Sequence, residues 1–140
     1  FGNDSKFNDN LKPVISLKTI ISQINHIKKG ESVGYNRGFL SEKSITTATL
    51  PIGHADGINR QYGNGKASVM VNGKSALIIG NICMDMMMID ISNIICNEGD
   101  EVIIFDDKNV SAEEFTESAG TISYEILTAL SKRIKRVVIN

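Results

Sequence analysis

The chain has 140 residues, 41% hydrophobic and 22% charged, with a formal net charge of -1 at pH 7. This is too apolar for a disordered segment, and no apolar run approaches the roughly 20 residues that span a bilayer, so the chain reads as one soluble globular body and not a membrane protein. The near-neutral charge supplies no field for a phosphate backbone; the densest basic cluster, Lys132, Arg133, Lys135 and Arg136, lies near the C-terminus, and nucleic acid is not an expected partner.

Residues 1–10 are rich in Asn, Asp, Gly and Ser and read as a linker or a severed boundary, leaving residues 11–140 as one domain. The first residue is Phe, and no positive segment leads into an apolar signal core, so the chain reads as a piece of something longer. After Pro13, the β-branched run from Val14 to Ile27 predicts one long or bent strand. Ile20, Ile24 and Ile27 could also line a helix, but residues 19–22 have little helical propensity. A polar turn at Lys28-Lys29-Gly30-Glu31 precedes an extended piece at Ser32-Val33-Gly34-Tyr35. The next strand, in residues 45–52, should finish close to Pro51, which cannot donate to a central ladder.

Residues 53–65 have loop composition, with four glycines among His, Asp, Asn and Arg. Asn72-Gly73 between residues 67–71 and 74–79 is the strongest local signal and predicts a tight hairpin. The apolar stretch 82–91 carries Met84, Met86, Met87 and Met88, which read most simply as flexible core filler. A strand over 101–105 follows the turn at 97–100. Ser111 with Glu114 forms a capping box for a helix over 112–119; a second helix is expected over 124–130, with Ser123 as its cap, and a closing strand over 136–139. Seven or more short strands with two short helices late in the chain imply a mainly β, barrel-like fold.

Gly53-His54-Ala55-Asp56-Gly57-Ile58-Asn59-Arg60 places a possible base, a carboxylate and a cation in a glycine-rich loop. It suits either close approach to a ligand or a turn stabilised by Asp56 and Arg60. Asp85, in an apolar context, must be paired or must face a polar site. Tyr35 can act as a base only where a cation or hydrogen bond stabilises its phenolate; Arg37 is near in sequence, but an ordinary half-buried tyrosine is the plainer reading. His26 and His54 are the only histidines and lack metal-ligand spacing, so no metal is expected. Cys83 and Cys96 form no C-x-x-C pair and read as reduced thiols of a cytoplasmic protein. Walker, G-x-G-x-x-G and G-x-S-x-G patterns are all missing, which argues against phosphate transfer, dinucleotide binding and serine hydrolysis.

Taken in order, Pro13-Val14-Ile15-Ser16-Leu17, Lys29-Gly30-Glu31-Ser32-Val33-Gly34-Tyr35, Leu50-Pro51-Ile52-Gly53-His54-Ala55-Asp56-Gly57, Val71-Asn72-Gly73-Lys74, Gly80-Asn81-Ile82-Cys83-Met84-Asp85, Gly99-Asp100-Glu101-Val102 and Gly120-Thr121-Ile122-Ser123-Tyr124-Glu125 resemble the C-terminal domain of alanine racemase. The resemblance implies a larger parent that interconverts L- and D-alanine for peptidoglycan precursor supply. An N-terminal barrel, absent here, would carry the lysine and pyridoxal phosphate, and the β domain of one subunit would complete the active site of the other in a homodimer. The isolated domain is then expected to bind no cofactor and to be inactive.

By the same resemblance Tyr35 is the second acid/base, opposite the cofactor lysine, and the backbone at Met84 helps receive the substrate carboxylate. Cys83 and Asp85 shape that loop, while Arg60 and Asp56 belong to the entrance. Three residues depart from the family pattern: His54 where tyrosine is common, Asn81 where arginine often stands, and Lys132 where some members present a tyrosine toward the cofactor phosphate. These departures keep two other readings open, a racemase for serine or another small amino acid and a non-catalytic interaction or regulatory domain derived from one.

Overall fold

The computed structural model describes residues 12–139, so the expected linker over 1–10 lies outside the described residues. Nine strands form: β1 (Leu17–Ile20), β2 (Gln23–Ile27), β3 (Ser32–Val33), β4 (Phe39–Leu40), β5 (Ile45–Leu50), β6 (Ser68–Val71), β7 (Lys74–Ile79), β8 (Met87–Asp90) and β9 (Glu101–Phe105). Two helices follow, α1 (Ala112–Glu117) and α2 (Ser123–Ala129). Seven strands make one sheet in the order β1-β9-β6-β7-β8-β5-β2, while β3 and β4 form a separate ribbon.

That order explains the shape. β1 and β2 are the two edges of the sheet, yet only Ile21 and Ser22 separate them in sequence, so the sheet must curl until its edges approach at one end. The single long strand expected over 14–27 is therefore two strands. At the bend Ile21 is buried, its N–H donating to Asp100 O (3.0 Å) just before β9, and Ser22 N–H donates to Thr49 O (2.9 Å) in β5, the strand that pairs with β2.

The Asn72-Gly73 hairpin forms as read, with Val71 opposite Lys74 and both turn residues at positive φ, 48° and 74°. Alternation in β6 and β8 sends Val69, Val71, Met87 and Ile89 into the curl, where they meet Leu50, Ile78, Ile104 and Phe105. The methionines divide: Met87 is fully buried, whereas Met84 and Met86 are exposed, so core filling accounts for only part of the run.

α1 starts at the expected capping box, Glu114 N–H donating to Ser111 Oγ (3.1 Å) and Ser111 N–H to Glu114 Oε2 (2.7 Å). It seats Phe115 on Tyr62, with ring centroids 4.7 Å apart. α2 begins one residue earlier than read, with Ile122 rather than Ser123 at the cap position. The closing strand over 136–139 does not form. β-propensity is a context-dependent bias that other contacts override, and Arg136 ties this segment back through Leu130 O, Ser131 O and Ile134 O, leaving Val137, Val138 and Ile139 exposed.

Candidate active site

Four loops converge on the stretch 80–86, and the sequence-predicted residues lie on them. The first carries Tyr35. Instead of continuing the extended piece, the chain turns at Tyr35–Arg37, with Gly34, Asn36 and Arg37 at φ of 79°, 53° and 52°. Two successive non-glycine residues in the left-handed region cost on the order of 1 kcal/mol each, so the surroundings must hold the turn. Asn81 does so: its Nδ2 donates to Tyr35 O at 2.8 Å, and its Oδ1 accepts from Asn64 Nδ2 at 3.0 Å. The Tyr35 ring is left 58% exposed. Arg37 is exposed and, among the described residues, makes no hydrogen bond or ion pair, so the geometry gives no support to its acting on the phenol.

The second loop carries His54 and Asp56. His54 N–H donates to Cys83 O (2.9 Å) and Ala55 N–H to Met84 O (2.8 Å), which zips the two loops together through backbone. Gly53 permits this: a Cβ there would lie 2.5 Å from Cys83 O and 2.7 Å from Met86 N. The His54 side chain faces solvent. Cys83 is a buried free thiol, and the Met84 N–H makes no hydrogen bond among the described residues.

Asp56 is buried, and its partner is not Arg60. Arg133 Nε and Nη2 donate to its two oxygens at 2.5 and 2.9 Å, while Gly53 N–H donates to Oδ2 at 2.9 Å. The same Nη2 reaches Asp85 Oδ1 at 2.6 Å, so one guanidinium ties both loops together. Asp85 is thus paired as read, though exposed rather than buried. The Arg133 hydrogen bonds hold the Asp56 carboxyl below the ordinary carboxylate range against a burial effect of opposite sign; in return Asp56, then Asp85, hold Arg133 more firmly protonated.

Sequence reasoning saw Arg133 only as one of a basic cluster. Its carboxylate partners lie 77 and 48 residues away, and no local pattern links them. Exposed Arg60 begins the turn Arg60–Tyr62, which buries Tyr62 and is followed by Gly63, packed against Gly80 O. Lys132 is exposed between Ser131, whose N–H donates to Asp56 O, and Arg133, and its own side chain is unpaired among the described residues. A shallow cleft beside Arg133, lined by Lys18, Thr19, Pro51, Ile52, Asp56 and Ile134, includes neither Tyr35 nor Met84. Among the described residues no group of three His, Cys, Asp or Glu could hold a metal ion, and no helix is long and apolar enough to cross a membrane.

A curled β domain that presents an exposed phenol and an unpaired backbone N–H from interlocked loops is the class of structure these observations define. The chain matches the alanine racemase C-terminal domain over residues 14–138 and belongs to that family. Alanine racemase 1 of Clostridium acetobutylicum is 46% identical over 134 residues, covering 93% of this chain and 34% of the relative. The solved alanine racemase of Clostridium difficile 630 in complex with cycloserine superposes with a TM-score of 0.85 at 34% identity, covering 96% of this chain and 36% of that one. The Bartonella henselae alanine racemase with covalently bound pyridoxal phosphate gives 0.82 at 33% identity, covering 89% and 34%. The chain therefore spans about a third of the length of the relatives it matches and corresponds to their C-terminal domain.

Proposed function

We propose that this chain works as the acid/base-bearing domain of a dimeric, pyridoxal-phosphate-dependent alanine racemase, within a parent that also carries the barrel. The observation that carries the reading is Tyr35: a half-exposed phenol on a strained turn whose backbone is held against the loop that presents Met84.

The cofactor fits this chain only in part. We take the covalent anchor to come from the parent's barrel, since this chain spans only about a third of the length of its relatives. What the cluster offers is a phenolic proton and a free backbone donor. Pyridoxal phosphate, when bound, would supply the electron withdrawal that makes the amino-acid Cα–H acidic. Tyr35 Oη then takes or returns that proton on one face, while the parent's lysine serves the other, and exchange between opposite faces inverts the centre. The Met84 N–H receives the substrate carboxylate without titrating, and Cys83, Asp85 and Arg133 hold its loop in place. His54, Asp56, Arg60, Asn81 and Lys132 surround the approach.

Such a site opens toward a second subunit and the parent's own barrel, with alanine as the substrate. The two free thiols suit a reducing compartment, and we assign the protein to the cytoplasm. The test is Tyr35→Phe in the full-length, cofactor-loaded parent, with L-to-D and D-to-L rates measured separately. Loss of a positioned proton donor predicts a fall of about 10²- to 10⁴-fold in at least one direction. Unchanged rates in both would refute the assignment.

A further inference from the structure

The side chain at position 81 does more than shape an entrance. We infer that Asn81 is a positioning residue for Tyr35, a short neutral clamp that holds the phenol-bearing turn in its working orientation. The inference rests on the reading of Tyr35 as the acid/base.

The geometry is specific. Tyr35 O can only accept, so the atom of Asn81 facing it at 2.8 Å must be the amide nitrogen; the amide oxygen is thereby turned toward Asn64, whose Nδ2 donates to it at 3.0 Å. Gly38 N–H supplies a second donor to the same Tyr35 carbonyl, at 3.1 Å. Both lone pairs of that carbonyl are thus engaged, and the peptide that leaves Tyr35 is fixed between Asn81 and Gly38.

The turn is also built around the side chain at 81. A Cβ at Gly38 would lie 2.5 Å from Asn81 Nδ2 and one at Gly34 would lie 3.0 Å from Asn81 N, so glycines on both sides of Tyr35 let the turn close onto this residue. Asn36 and Arg37 sit in left-handed conformations that the turn would relax from if the clamp were released. The space that Gly38 leaves is filled by the short amide at 81.

The test uses Asn81→Ala, the near-isosteric Asn81→Asp, which cannot donate to Tyr35 O, and Asn64→Ala, which spares the clamp but no longer orients it. In this chain, amide exchange at Gly38 should quicken about tenfold in Asn81→Ala and Asn81→Asp, the equivalent of one lost hydrogen bond, and by less in Asn64→Ala. The amides of β6 and β7 should not change, which separates loosening of the turn from a fold defect. In the cofactor-loaded parent the two Asn81 variants should lower kcat by about tenfold or more with KM for alanine within about twofold, since misplacement affects the chemical step rather than uniform binding. Unchanged exchange at Gly38 overturns the clamp whatever the reaction proves to be. Normal kcat in the Asn81 variants, where Tyr35→Phe is inactive, overturns the positioning role; normal kcat in both sets of variants refutes the role of Tyr35 from which the inference starts.

Discussion

Asp56 shows what a residue can and cannot disclose. A carboxylate in a glycine-rich loop was legible as important, and Arg60, four residues on, was the natural partner to expect. The partner is Arg133, brought across by the fold after α2. Because the folded carboxyl lies below its ordinary value, it binds its proton less readily than in the unfolded chain. Its contribution to stability is therefore complete above the unfolded pKa of about 3.9 and is lost as pH falls through the lower, folded value. Urea midpoints measured from about pH 6 down to pH 2 should fall below about pH 4, and Asp56→Asn should be less stable at pH 6 with a shallower acid limb. An equally steep limb in the variant would show that another group governs the acid transition. Tyr35 makes the complementary point: the family pattern singled it out as a candidate, but the left-handed turn and the amide that holds it were not legible, because Asn81 lies 46 residues away.

At the scale of elements, local chemistry was read well wherever it is local. Asn72-Gly73 and the Ser111/Glu114 box each encode a geometry within four residues, and both form. The bend at Ile21 depends on contacts with Asp100 and Thr49, which no local window of sequence contains. The two helices matter because they close the curled sheet with Phe115 and Ile126. Phe115→Ala removes a buried ring stacked on Tyr62 and should cost about 3–5 kcal/mol. Ser111→Ala, which removes only a cap, should cost about 1 kcal/mol. Urea denaturation of the two variants compares them directly; equal losses would mean that the helices do not pack as a plug.

The whole molecule is one third of its relatives in length, and its chemistry follows from that. The curl gathers four loops around residues 80–86 and presents them outward, with exposed Tyr35, Met84 and Met86 on the same loop cluster. In the proposed reading this surface completes a site whose covalent anchor lies on the parent's barrel. After incubation with pyridoxal phosphate and dialysis, the purified chain should show no stoichiometric cofactor absorbance; retention at one per chain would contradict the division of labour argued above. Alanine racemisation in the full-length parent loaded with pyridoxal phosphate is the decisive measurement. L- and D-alanine should be interconverted in both directions. A folded, cofactor-loaded parent that leaves either enantiomer unchanged would contradict the proposed function.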